Sequence, residues 1–235
     1  MEIIYSMVAF FQKGGVFMYP ILFVFAFGMA IALERWIHLS RIMTQNRRLW
    51  GEVLPMLADS DFDSARELVN DDRSTIAQML SMGLARQGAV RRRDDIEIAM
   101  EESMMEIIPQ LEKRTPYVGL LSNIATLLGL LGTIMGLIAA FTAVAEANPA
   151  EKADMLSASI STAMNTTAFG LMVAIPLLLF HAKLTSTTGQ IVDSLEMASV
   201  KALNIISNTS VRKSKETQET EVTAATDEPE DTEEG

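Results

Sequence analysis

Three stretches of the chain are uncharged, predominantly apolar and long enough to cross a bilayer. Residues 16–33 hold no charge over eighteen positions, close to the roughly twenty needed for a ~30 Å hydrocarbon core. Residues 117–145 hold none either, and as a helix rising about 1.5 Å per residue they would extend roughly 43 Å. The third stretch, 157–182, is also uncharged apart from a histidine near its end. Between the second and third, Asn148 and Pro149 mark a short turn, which predicts an antiparallel helical hairpin.

The segment between the first and second stretches reads as amphipathic helices. Asp61 or Asp63 is placed to cap a helix with an Ala65, Leu68, Val69 face, and Ser74 to cap one carrying Ile76, Met79, Leu80 and Met82. From Asp94 a further pattern of Ile96, Met100, Met104, Ile107, Ile108 and Leu111 runs towards the second span. Pro109 and Pro116 are expected to kink that helix where it enters the membrane, and Pro176 to kink the third span, because proline removes a backbone donor and clashes one turn back. The methionines read as adaptable packing.

Charge adds an orientation. Nine acids and no Lys or Arg lie between Glu216 and Gly235, and without those nine the formal charge falls from −11 to −2. The body is therefore nearly neutral, and a Glu/Thr/Asp/Pro tail with few large apolar residues is expected to be disordered. Eleven Lys and Arg, including Arg91, Arg92 and Arg93, fall between Ser40 and Pro116, against Lys152 alone in the hairpin turn. Positive flanks stay in the cytoplasm, which places the long segment and the C-terminus inside and the N-terminus and hairpin turn outside. Glu2 and Lys13 before the first span, and Glu34, Arg35 and Trp36 after it, fit a retained span better than a cleaved leader. The chain has no Cys, which excludes a disulfide scaffold and thiol redox chemistry.

The candidate chemistry lies in the hairpin. On the second span Ser122, Thr126, Gly129, Thr133, Gly136 and Ala140 recur at intervals of four and three, forming one stripe of small or hydroxylated side chains. Gly129, Gly132, Gly136 and, on the third span, Gly170 suit close helix packing. The third span opens with Ser159, Ser161, Thr162, Asn165, Thr166 and Thr167, of which Ser159, Thr162, Thr166 and Phe169 share a face. Buried hydroxyls need partners in a waterless core. They either bond across the helix interface or line a hydrated path, and the number at similar depth favours the path. Thr126, Thr133, Ser159, Thr162, Asn165, Thr166 and Thr167 are the candidate path residues.

Taken together, "PYVGLLSNIATLLGLLGTIMGLIAAF" (116–141) and "STAMNTTAFGLMVAIPLLLF" (161–180) resemble the two signature helices of the MotA/TolQ/ExbB family of ion-channel subunits. The likeness extends to "EESMMEIIPQLEKRTPY" (101–117) and to the three-span plan of the ExbB and TolQ branch. It implies an all-α membrane protein with three transmembrane helices and long helical cytoplasmic extensions, assembled as a homopentamer. The five copies would enclose two copies of a single-span partner like ExbD, TolR or MotB, whose transmembrane Asp carries the coupling ion. Thr133 and Thr167 take the family's two pore threonine positions. The resemblance further implies a multi-pass protein of the bacterial inner membrane that works with a TonB-like protein in uptake, or in Tol-type envelope maintenance. Its three-span plan differs from the four-span flagellar stator subunit.

One departure stands out. The ExbB and TolQ branch usually carries Glu five residues before the second threonine, where this chain has Thr162. With no intramembrane carboxylate of its own, the chain offers oxygen dipoles as ligands, which suits H⁺ carried by the partner or a hard cation such as Na⁺. No bound cofactor and no resident metal are expected. Phosphate loops, HExxH pairs and Cys nucleophiles are absent from the sequence, and His38 and His181 read as interfacial, so no enzyme is expected. The rival is a passive membrane scaffold whose small-residue stripes serve packing alone. The expected layout is a periplasmic segment (1–15), a first span (16–38), a cytoplasmic helical domain (39–115) and a second span (116–145). A periplasmic loop (146–156), a third span (157–182), a cytoplasmic helical extension (183–207) and the acidic tail (208–235) complete it.

Overall fold

The computed structural model describes residues 11, 14–86 and 93–226, with side chains to 209. Arg91, Arg92 and the last nine tail residues lie outside the described residues. Six helices account for the described secondary structure: α1 (Met18–Ala58), α2 (Phe62–Asp71), α3 (Thr75–Arg86), α4 (Arg93–Glu112), α5 (Thr115–Glu146) and α6 (Lys152–Thr226). Three stretches are long and apolar enough to cross a membrane: one in α1, one in α4 and α5, and one in α6. Only 22–33% of each apolar window is buried inside the chain. Phe23, Phe27, Leu127, Ile138, Phe141 and Leu179 all point outward. Such surfaces are tolerated in lipid or against other membrane helices and not in water.

The described residues divide into two compact units, one from those up to residue 40 with 111–189, the other from those between 41 and 110 with those from 190 onward. In the first, glycine sets how closely α5 and α6 approach. A Cβ on Gly170 would stand 2.8 Å from the Ala125 carbonyl oxygen, and one on Gly129 3.2 Å from the Gly170 Cα. The two backbones therefore touch, which a side chain at either site would prevent. A Cβ on Gly132 would run into Thr166 Cγ2, and one on Gly136 would stand 2.9 Å from Ala163 Cβ. From α1, Gly28 admits Leu177 in the same way, at 3.0 Å.

The second unit has a conventional apolar core of Val53, Leu57, Ala65, Val69, Met79, Leu80, Leu84, Met100, Leu195 and Ala202. Of the two candidate caps, Asp61 is the one used, accepting the Ser64 N–H at 3.2 Å. Ser74 accepts the Ala77 N–H at 3.3 Å, as its position predicts. Asn46 of α1 adds a second anchor, accepting from the Ile76 N–H and exchanging hydrogen bonds with Thr75. Met82, placed on the buried face of α3 from its spacing, is 44% exposed, and Gly83 and Leu84 hold the core side instead. A Cβ on Gly83 would lie 2.9 Å from Met100 Cγ, so the helix rotates to put its smallest residue at the crowded contact.

Two further expectations meet a different arrangement. Pro116 does not kink a continuous helix: the chain turns at Lys113 and Arg114, Arg114 takes a left-handed φ of 68°, and Pro116 sits in the first turn of α5. There its missing N–H costs nothing. Pro109 and Pro176 lie inside α4 and α6, and Pro55 inside α1. Finally, α6 passes the expected tail boundary at 207 and continues to Thr226. The nine Glu, Lys, Arg, Gln and Ala of residues 208–226 favour helix, against ten Thr, Ser, Val and Asn that favour it less.

Candidate functional site

A threonine inside a helix commonly turns its hydroxyl onto the carbonyl four residues earlier, which satisfies the proton without a partner helix. Thr126 does this onto Ser122 at 3.3 Å, and Thr162 onto Ala158 at 3.1 Å. The backbone contact at Gly129 and Gly170 changes the outcome for their neighbours. It brings the Thr133 and Thr167 hydroxyls into hydrogen-bond contact across the hairpin. Thr167 also donates to the Gly129 carbonyl at 2.9 Å, while Thr133 reaches that carbonyl at 3.2 Å and the Ala163 carbonyl at 3.3 Å.

Four oxygens from two helices thus converge. Two carry a proton each, and each hydroxyl has more than one acceptor in reach. A hydroxyl rotor can redirect its proton and still offer lone pairs, so the cluster can pass a proton between acceptors or present oxygens to a hard cation. Both threonines are half-buried, and no charged residue occurs between Thr115 and Ala145 or between Met155 and Phe180. Among the described residues no group of three or more His, Cys, Asp or Glu is placed to hold a metal ion.

The other candidates do not all join this cluster. Thr126 lies seven residues before Thr133 and so on nearly the same stripe of α5, with its side chain exposed. Thr166, adjacent to Thr167 and therefore about 100° around the helix, faces elsewhere. It is 2% exposed and donates to the Gly14 carbonyl at 2.6 Å and to Thr162's carbonyl at 3.0 Å. Gly15, with a φ of 74°, continues the amino-terminal turn past Thr162, whose Cγ2 would stand 3.4 Å from a Cβ placed on that glycine. Phe11 packs edge-on against Phe169. The side chains of Asn165 and Ser159 make no hydrogen bond among the described residues, and both residues are half-buried. The row of polar residues is therefore split between a hairpin cluster at Thr133 and Thr167 and an amino-terminal contact at Thr162 and Thr166.

Two participants escaped the sequence reading. The Gly14 carbonyl was invisible as an acceptor, although a Gly-Gly pair before an apolar run does signal a turn. Ser122, seen only as part of a stripe, donates to the Ala174 carbonyl at 2.8 Å, two residues before Pro176. It is a buried cross-helix bond of the packing kind.

Comparison with known proteins bears directly on this hairpin. A family model described as the MotA/TolQ/ExbB proton channel family matches residues 71–197, a range that holds both threonines. The chain is 28% identical over 170 residues to biopolymer transport protein ExbB-like 3 of Synechocystis sp., covering 72% of this chain and 80% of that one. With ExbB-like 1 of the same organism it shares 30% identity over 189 residues, covering 78% and 72%. With the Tol-Pal system protein TolQ of Haemophilus influenzae it shares 33% over 87 residues, covering 37% and 38%.

Proposed function

The chain belongs to the MotA/TolQ/ExbB proton channel family, a family of membrane channel subunits and not of enzymes, and on that premise we propose that it converts ion-motive force into mechanical work. In this reading it is a multi-pass subunit of the inner membrane, with its amino terminus periplasmic and its carboxyl terminus cytoplasmic. Five copies surround two copies of a single-span ExbD/TolR-like partner, and the partner's transmembrane Asp carries the ion. The work is delivered to periplasmic or envelope partners, as in biopolymer uptake with a TonB-like protein or Tol-type envelope maintenance.

The observation that carries the proposal is the meeting of Thr133 and Thr167 with the Gly129 and Ala163 carbonyls at the hairpin interface. It supplies a polar, uncharged station inside an apolar helix pair, which complements a carboxylate brought from outside. Helix packing alone would be served by the glycine contacts and by the Ser122 bond. Gentle detergent purification of the tagged full chain, followed by native mass spectrometry, tests the assembly. Five copies with two of a small single-span protein bearing a membrane Asp support the channel reading. The chain alone, or with unrelated proteins, returns the hydroxyls to packing and favours the passive scaffold.

Protons are the ion of this reading. The same four oxygens favour a second one, because hydroxyl and carbonyl oxygens are the ligands a desolvated Na⁺ takes. Output that follows an imposed pH gradient with sodium absent eliminates the sodium version.

A further inference from the structure

Two consecutive residues of α1 hold the two sides of the turn between α4 and α5. Arg35 is 4% exposed and donates a guanidinium N–H from Nη2 to the carbonyl of Leu111, in the last turn of α4. The final carbonyls of a helix lack intrahelical partners and form the negative end of its dipole. No basic residue of α4 itself occupies that last turn, so the cation arrives from α1. Its neighbour Glu34 stands 3.5 Å from Arg114 Nη1. Arg114 is the left-handed residue from which α5 starts, and it gives α5 no side-chain cap.

This is a costly choice if stability were the only purpose. Arg35 lies directly after the first apolar run, where an arginine ordinarily extends its head group to water. Here the guanidinium is enclosed, no carboxylate lies within ion-pair distance of it among the described residues, and its Nε has no partner. A buried charge so poorly compensated is often improved by an apolar residue of similar volume. An apolar residue, however, would not hold a carbonyl at a fixed height. The geometry calls for a long donor that reaches from α1 to the carbonyl of Leu111 at the end of α4.

We propose that Glu34 and Arg35 are positioning residues that clasp the α4–α5 turn and fix the start of α5 against α1. Helix α5 carries Thr126, Gly129 and Thr133, so the clasp sets the helix on which half of the hairpin cluster is mounted. The functional meaning of the clasp rests on the channel reading above, whereas its existence does not.

Hydrogen–deuterium exchange on the full chain in lipid nanodiscs separates the two. In Arg35→Met, exchange over residues 113–120 is expected to rise several-fold, while 129–146 stay as in the parent and Arg35→Lys recovers part of the protection. Glu34→Arg, which opposes Arg114, gives a smaller rise in the same residues, and adding Arg114→Glu reverses it. Unchanged exchange at 113–120 in both Arg35→Met and Glu34→Arg overturns the proposal. So does a uniform rise along α5 and α6, which describes general loosening. Glu34 and Arg114 are about half exposed, so that swap decides the matter if Arg35→Met fails to insert. Ion flux measured on the same variants reports on the channel reading, and it can fail while the exchange result stands.

Discussion

The hydroxyls of Thr133 and Thr167 meet across the α5–α6 hairpin, with the carbonyls of Gly129 and Ala163 closing around them. Each threonine is also in reach of the partner helix's backbone, so the pair ties the two helices together whatever its part in the proposed ion route. The two roles differ in magnitude. A hydrogen bond inside a membrane protein is worth about 0.6 kcal/mol on average, too little to make the pair indispensable for folding.

The backbone contact that brings the pair together is more sensitive. In Gly170→Ala the new methyl would stand 2.8 Å from the Ala125 carbonyl oxygen and 2.9 Å from the Gly129 Cα. Both are backbone atoms and cannot rotate aside, so the helices must part. We expect about 1–3 kcal/mol of destabilisation, read as a lower melting temperature in detergent. Gly51→Ala is the control, since nothing lies within 4 Å of its Cβ. That change should stabilise α1 by about 0.5–1 kcal/mol.

Thr166 and Thr167 are neighbours with different duties. Thr166→Val leaves the buried Gly14 carbonyl without its donor and should cost about 1 kcal/mol. It should also speed amide exchange at residues 14–19, whereas Thr166→Ser retains the bond. Thr167→Val should leave exchange at 14–19 as in the parent, because its hydroxyl bonds α5 instead.

The N-cap of α2 predicts a pH dependence. The Ser64 hydroxyl and the Ser64 N–H, in that order, hold the Asp61 carboxyl below its ordinary value. A carboxylate whose pKa is lowered by folding adds stability above its unfolded pKa and loses it as pH falls through the folded one. Protection of the α2 amides should therefore weaken at acid pH in the parent. In Asp61→Asn, which caps without ionising, that dependence should vanish.

Much of this was legible in the sequence, for identifiable reasons. An uncharged run of eighteen residues has few fates besides a span, and the spacing of Ser122, Gly129, Thr133 and Gly136 marked one face of α5 before any contact was known. The cap at Ser74 was equally plain, because it precedes an apolar-periodic stretch, whereas Asp61 and Asp63 stood as equal candidates for the other helix. Periodicity does not say which face meets which neighbour. Thr162, Thr166 and Phe169 lie on one side of α6, yet Thr166 is taken up by Gly14, an acceptor 152 residues away. Pro116 could as well kink a helix as begin one, and the left-handed Arg114 that decides between them leaves no mark in the sequence. Arg35 counted in the sequence only as a residue that follows the first span, although it is buried against a helix end in the fold.

The most direct test of the central claim is ion flux through the purified complex in liposomes, comparing Thr133→Val and Thr167→Val with the matching Ser variants. Valine keeps the shape and removes the oxygen; serine keeps the oxygen. The hydroxyl pair as part of the ion route predicts that both Val variants assemble at normal stoichiometry and lose flux, while both Ser variants conduct. Normal flux in both Val variants would contradict it and leave the hairpin hydroxyls with packing alone.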